Sequence, residues 1–215
     1  MLSFAEDLFL LVLDDHAGQI KALPEFTLDF ALAGAVLMDL AIRGRIDIDT
    51  EGLHVADPQP TGQAELDGVL AELAAAGGKS SVTVWLQQLS RKGTWIQERI
   101  LERLVGHGIL KREDRRILWV FTVRRYPLVD NREIQDVKTR LRTLILGDDI
   151  PDAREAVLVS LVQACNLAGE FLSPQEIRQH RGRLEAIAKL DLIGQQVSAA
   201  VSRIQTALAS CVWQA

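Results

Sequence analysis

The sequence predicts a mainly α-helical fold, a compact single helical domain with one or two β-hairpins spanning residues 1–215. Three observations carry this. Hydrophobic residues make up 48% of the chain and aromatics only 5%, so Ala, Leu, Ile and Val dominate, which favours helices over a β-sandwich. Apolar residues recur at helical spacing, as in Ile96, Ile100 and Leu104. Two short stretches read as strands flanking turn residues.

Along the chain, Ser3 followed by Glu6 is a capping-box pattern. The run Leu8 to Leu13 is apolar on every side and fits a buried helix or a buried strand. Asp14-Asp15-His16-Ala17-Gly18 reads as a solvated turn, since its spacing matches no metal-loop pattern. Thr27 to Ile42 is apolar enough to be the central helix, with Gly34 admitting a close neighbour and Gly44 ending it. Ile46 to Asp49 and Leu53 to Val55 form a candidate hairpin across Glu51-Gly52. Thr61 is a candidate cap for a helix through Leu66, Val69, Leu70 and Leu73, closed by Gly77-Gly78. Helices are expected over Ser81–Leu89 and around Ile96–Leu104. Ile109-Leu110 then begins a strand, Arg112 to Arg116 is a charged turn, and Ile117 to Val123 is the return strand. A helix from about Asn131 to Leu146, a linker at 147–151, a helix capped by Asp152, and a last helix from Pro174 to Ser210 with a break near Gly194 complete the reading.

The formal net charge of −5 argues against a general nucleic-acid binder. That average conceals a dipole. Residues 1–60 hold eleven acids against three bases, and residues 91–125 hold ten bases against four acids. A local basic surface can hold an anionic partner on an acidic protein. The two cysteines, Cys165 and Cys211, lie in apolar helical sequence and read as core thiols in a reducing compartment. Acids precede any cationic stretch at the N-terminus, and position 2 is Leu2, so neither a signal peptide nor a myristoylation site is expected. The longest apolar run, Phe30 to Met38, is too short to span a bilayer. Membrane contact, if any, is therefore peripheral. The four histidines share no ligand spacing, and no P-loop, G-x-S-x-G or H-E-x-x-H is present, so no catalytic residue, metal site or cofactor is expected. Asp39 reads as the partner of an arginine such as Arg43 rather than a buried catalytic acid.

Six segments in order over residues 2–130 resemble one known family. Leu8 to Leu13 with Asp14 and Gly18 is similar to its "LLLxLxDxxG" opening. Leu37-Met38-Asp39-Leu40-Ala41-Ile42-Arg43-Gly44-Arg45-Ile46 resembles its core helix and "R-G-R" exit. Pro60-Thr61-Gly62 with Asp67, Trp85-Leu86 with Leu89-Ser90, Leu104-Val105 with Gly108-Ile109-Leu110, and Tyr126-Pro127-Leu128 follow its further motifs. On these residues the chain is identified as a member of the Golgi phosphoprotein 3 family, of a prokaryotic type without the Golgi-specific parts. The resemblance implies a non-enzymatic, cytoplasmic, peripheral membrane adaptor. It implies phosphatidylinositol 4-phosphate as ligand, an apolar hairpin inserted in the bilayer, and cytosolic tails of membrane proteins as partners. Independently of the resemblance, one hairpin gives weak binding that a homo-oligomer would multiply.

The expected membrane or partner hairpin comprises Leu118, Trp119, Val120 and Phe121 with Arg112, Arg115, Arg116, Arg124 and Arg125. No residue from Ile117 to Phe121 is polar, so the return strand is expected to have two apolar faces, one of them needing a membrane or partner. Burying Trp119 or Phe121 would contribute roughly 1.5–3 kcal/mol each, and each arginine near anionic lipid about 1 kcal/mol. The alternative is a strand buried on both faces within the domain. The family's head-group pocket maps onto Pro24, Ala33, Thr94 and Gln97, all departures; Arg91, Lys92, Trp95, Arg99 and Arg103 are the remaining lipid head-group candidates, with a solvated helix face as the alternative. A rival function also uses residues 81–125, as a winged helix on DNA. Glu98 and Glu102 on its would-be recognition helix would repel phosphate.

Overall fold

The computed structural model describes residues 2–14, 18–24, 26–49, 51–117, 121–191, 193–199 and 201; over 114–117 and 121–124 it describes the backbone alone. Nine α-helices are delimited among the described residues: α1 (Phe4–Val12), α2 (Thr27–Ile42), α3 (Ala64–Ala76), α4 (Val82–Ser90), α5 (Gly93–Gly106), α6 (Arg132–Leu146), α7 (Ala153–Ala164), α8 (Pro174–Gln179) and α9 (Arg181–Ala188). Residues 193–199 are also helical. Two antiparallel hairpins pair β1 (Ile46–Asp49) with β2 (Gly52–Val55), and β3 (Glu113–Ile117) with β4 (Phe121–Arg125). The fold is mainly α.

α2 is the hub, packed by α1, α3, α4, α5 and α7. Its buried set runs without interruption from Phe30 to Leu40. Such a helix has no polar face and must be surrounded. Gly34 permits this, because a Cβ there would collide with the Val197 side chain. Arg43 closes the helix, Gly44 takes φ +67°, and Arg45 pairs with Asp57 across the exit.

α1 is buried along its whole length, and the open choice between helix and strand for Leu8 to Leu13 resolves as helix through Val12. Its first-turn N–H groups would be orphaned without partners. Ser3 Oγ accepts from Glu6 N at 3.1 Å, and Glu6 Oε2 accepts from Ser3 N at 2.8 Å, so the capping box forms as read. Asp39 of α2 supplies a further acceptor, with Phe4 N donating to Oδ2 at 2.9 Å. This corrects the expected pairing with Arg43. The helix geometry carries Asp39 inward, toward the α1 terminus, and Arg43 acts on it only as a more distant charge.

Other expectations change. Thr61 is not the α3 cap; the N-cap is Gln63, and Asp67 reaches back to accept from Thr61 N at 2.6 Å, Thr61 Oγ1 at 2.7 Å and Gly62 N at 3.1 Å. Asp152 does cap α7, through a capping box with Glu155. The long C-terminal helix breaks at His180, which was not expected, and again just before 193, near Gly194 as expected. Asp191 causes the second break, because its carboxylate accepts from Ile193 N at 3.2 Å and Gly194 N at 2.7 Å and restarts the helix. Gly194 also lets that helix lie against Ser160. Cys165 is a buried thiol as expected. His16, Cys211 and the end of the last expected helix lie outside the described residues.

Candidate functional site

The charged turn expected over Arg112 to Arg116 is in fact a strand. β3 occupies 113–117 and pairs with β4 in the register Glu113↔Arg125, Asp114↔Arg124, Arg115↔Val123, Arg116↔Thr122 and Ile117↔Phe121. Leu118, Trp119 and Val120 fall between the strands and lie outside the described residues. The correction has a cause in the residues before the strand. Gly108 takes φ +72° and ends the α5 exit, and Leu110 already bridges Leu128. Lys111 N donates to Pro127 O at 2.9 Å, and Val129 N donates to Ile109 O at 2.9 Å. These bonds share the register of β3 and β4. The two segments therefore form one antiparallel ribbon from Ile109 opposite Val129 to Ile117 opposite Phe121, an arm of roughly 27 Å at the usual rise per residue.

Pro127 explains why the arm is not one uninterrupted ladder. It accepts from Lys111 but has no N–H to return the bond. Its neighbour Tyr126 turns its N–H outward and donates to Gly18 O at 3.0 Å. Gly18 has φ +58°, and a Cβ there would lie 2.5 Å from Pro127 N. The sequence motifs "D…G" and "Y-P-L" thus meet at the root of the arm. Beyond the root, β3 and β4 pack on each other and on no helix to a comparable extent.

Lys111 and Arg112 are exposed near the root and Arg125 is half-buried. Lys111 stands 3.8 Å from Glu113. Arg115 and Arg116 occupy β3 and Arg124 occupies β4. Phe121 opens β4, opposite Ile117. The expected return strand with two apolar faces is therefore replaced. Within the paired residues, apolar and polar positions alternate: Phe121, Thr122, Val123, Arg124.

The second expected cluster, Arg91, Lys92, Trp95, Arg99 and Arg103, falls along α5 and its approach. Most of its charge is engaged within the chain. Lys92 pairs with Glu72 of α3, and Arg99 with Glu102 at 2.8 Å. Arg103 donates through Nε to Glu6 Oε1 at 3.1 Å and lies 3.4 Å from Glu65. Both carboxylates are buried, so Arg103 answers charges that would otherwise be uncompensated. Trp95 is half-buried, its ring against Gly68, and Arg91 is exposed. Where the resemblance placed a head-group pocket, Gln97 donates to Asp29 Oδ1 at 3.1 Å, and Asp29 rests on Gly93 at the first turn of α5. Burial raises the Asp29 carboxyl above its ordinary range. Pro24 and Thr94 are exposed, and Ala33 is buried in α2. An internal carboxylate at the start of α5 opposes a phosphate there.

Among the described residues, no three His, Cys, Asp or Glu converge as metal ligands. A cavity of about 740 Å³ holds Lys21, which pairs with Glu170 at 2.5 Å, and Cys165, whose thiol burial pushes up to about 12. That is the opposite of an activated thiol. No helix among the described residues is long and apolar enough to cross a membrane.

The molecule is thus a mainly helical protein with a basic two-stranded arm and a self-neutralised helix face beside it. The chain belongs to the Golgi phosphoprotein 3 (GPP34) family, whose model matches residues 4–204. It is similar to vacuolar protein sorting-associated protein 74 of Eremothecium gossypii, with 26% identity over 69% of this chain and 50% of that protein. It is similar also to the protein of the same name in Schizosaccharomyces pombe, with 26% identity over 67% of this chain and 48% of that one. The chain spans about half the length of these curated relatives.

Proposed function

We propose that the protein is a non-enzymatic peripheral membrane adaptor that docks to anionic lipid through its arm, at the cytoplasmic face of a membrane. The observation that carries this is the ribbon itself. It packs on no helix to the extent that its strands pack on each other, it holds six cations (Lys111, Arg112, Arg115, Arg116, Arg124 and Arg125), and it joins them to an apolar end. Cations near an anionic surface and an apolar end in the interfacial region act together. Family membership supports the same reading. The α5 cluster contributes less, since Lys92, Arg99 and Arg103 are held by acids of the chain and Asp29 occupies the adjoining turn. Lipid charge, rather than a phosphoinositide head-group pocket, then governs binding. Cytosolic tails of membrane proteins are the proposed clients, and self-association would strengthen a weak single-arm contact.

Flotation with vesicles tests this. The intact chain is expected to float with phosphatidylglycerol-containing vesicles and not with pure phosphatidylcholine. A Trp119→Asp/Phe121→Asp variant is expected to stay at the bottom with both. Equal flotation of the two proteins removes the arm from the mechanism, and binding to random duplex DNA without flotation replaces the reading by the winged-helix one.

A further inference from the structure

The arm has two unlike faces, and the difference is set by register alone. In an antiparallel pair, residues directly opposite each other share a face and successive residues alternate. The pairs Ile117↔Phe121 and Arg115↔Val123 therefore lie on one face, and Arg116↔Thr122 and Asp114↔Arg124 on the other. At the outer end, one face carries Ile117, Phe121 and Val123 with a single arginine. The opposite face carries Arg116, Thr122, Asp114 and Arg124, with nothing apolar. A ribbon meant to enter a bilayer end-on has no use for this division, because both faces of the end would meet acyl chains. A ribbon that lies along the surface needs it.

From this asymmetry we infer that the arm docks on its side, as an amphipathic ribbon lying in the membrane interface, with the Ile117–Phe121–Val123 face toward the acyl chains and the Arg116–Thr122–Arg124 face toward water and head groups. The partner is an anionic lipid surface. The cations of the arm outnumber its acids, Glu113 and Asp114, which gives the charge complementarity. A two-stranded pair bonds only its inward N–H and C=O groups between the strands and leaves the outward ones at its two open edges. Lying flat in the interface keeps those edges within reach of water and head groups, whereas end-on entry would carry them among the acyl chains. This inference rests on the membrane reading above and adds the orientation.

Two positions separate side-on from end-on docking. Thr122 is one residue nearer the outer end than Val123 but lies on the other face. End-on insertion immerses Thr122 at least as deeply as Val123. Side-on docking reverses that order. The test uses Val123→Cys and Thr122→Cys, each in the full chain with Cys211→Ser, labelled with an environment-sensitive fluorophore. Cys165 is buried and stays unlabelled. With vesicles of phosphatidylglycerol and phosphatidylcholine, the emission of the label at 123 is expected to shift to the blue and that at 122 to stay at its aqueous wavelength. Ile117→Cys and Arg116→Cys, scored in the same way, should repeat the pattern on β3 and guard against a single variant that folds poorly. A shift at 122 equal to or larger than at 123 overturns the side-on orientation while leaving membrane docking intact. Flotation of the labelled proteins with no shift at any position overturns the arm as the contact. Absence of flotation by the unlabelled intact chain overturns the membrane reading itself, and the orientation with it.

Discussion

Asp39 shows how much a single side chain can be asked to do. It sits in the last turn of α2, buried, with the first turn of α1 as its partner. Burial raises its carboxyl to about 7, against the lowering effect of the Phe4 and Ala5 N–H groups. In the unfolded chain the same group titrates near its ordinary value of about 4. Between those two values the folded protein holds a proton that the unfolded chain has released. Stability from this group is therefore full at low pH and falls as pH rises from about 4 to about 7. At about 1.4 kcal/mol per unit, the swing is of the order of 4 kcal/mol. Asp39→Asn keeps an acceptor for Phe4 and removes the titration. Urea unfolding at pH 5 and at pH 8 should show the natural protein losing markedly more stability than the variant over that interval; parallel losses would rule Asp39 out as the source. Burial raises Asp7 and Glu65 as well. They add slopes of the same sign to both proteins, so the difference isolates Asp39.

At the scale of elements, the root of the arm is where two distant motifs are joined. Gly18 holds a left-handed backbone and its carbonyl receives the Tyr126 N–H. Gly18→Ala meets both the strain of φ +58° and the backbone of Pro127. The conformational strain alone costs about 1–2 kcal/mol, and the overlap forces the loop away. Amide exchange at Tyr126 is expected to quicken in this variant while that of α2 stays slow; unchanged exchange at Tyr126 would show that the loop yields without releasing the arm. The same elements show what the sequence could and could not disclose. The capping box of α1, the whole of α2 and the R-G-R exit were legible, because capping residues and an uninterrupted helix-length apolar run are local signals, whereas the short run Leu8 to Leu13 left helix and strand open. The position of the arm was not. Arg112 to Arg116 has the charge of a turn, and only the pairing partners at 122 to 125, supplied by tertiary structure, make Glu113 to Arg116 a strand. Asp39's partner was hidden for the same reason, since 35 residues separate it from Phe4. The cation row on α5 misled in the other direction: packing of α1 and α3 against α5 put Arg103 in reach of Glu6 and Glu65, which sequence order places far away.

Taken whole, the molecule keeps its charge sorted. Glu6, Asp7, Asp39 and Glu65 are buried, and Arg103, Arg140 and Arg154 meet them from three other helices. Arg154 bonds Asp7 at 2.5 Å and Leu2 O at 2.6 Å, and covers the Phe4 ring at 4.5 Å. These charges are locked inside the fold. Those of the arm have few acids among them. Salt should therefore act on docking more than on folding, because the screening length is about 10 Å at 0.1 M and exposed charges feel it most. Raising sodium chloride from about 0.05 M to about 0.5 M is expected to reduce flotation with anionic vesicles severalfold, with little change in the unfolding midpoint. Flotation that ignores salt would mean that apolar contact alone holds the protein to the vesicle.

The unshifted register of the ribbon also constrains how such an arm can vary in length over evolution. One residue gained or lost in a single strand exchanges its two faces from that point outward. Paired insertions, two residues in each strand, leave the division as it was. Among relatives, the arm is thus expected to grow and shrink in even steps, and a relative with an odd step carries either a bulge that restores the phase or a different use for the arm.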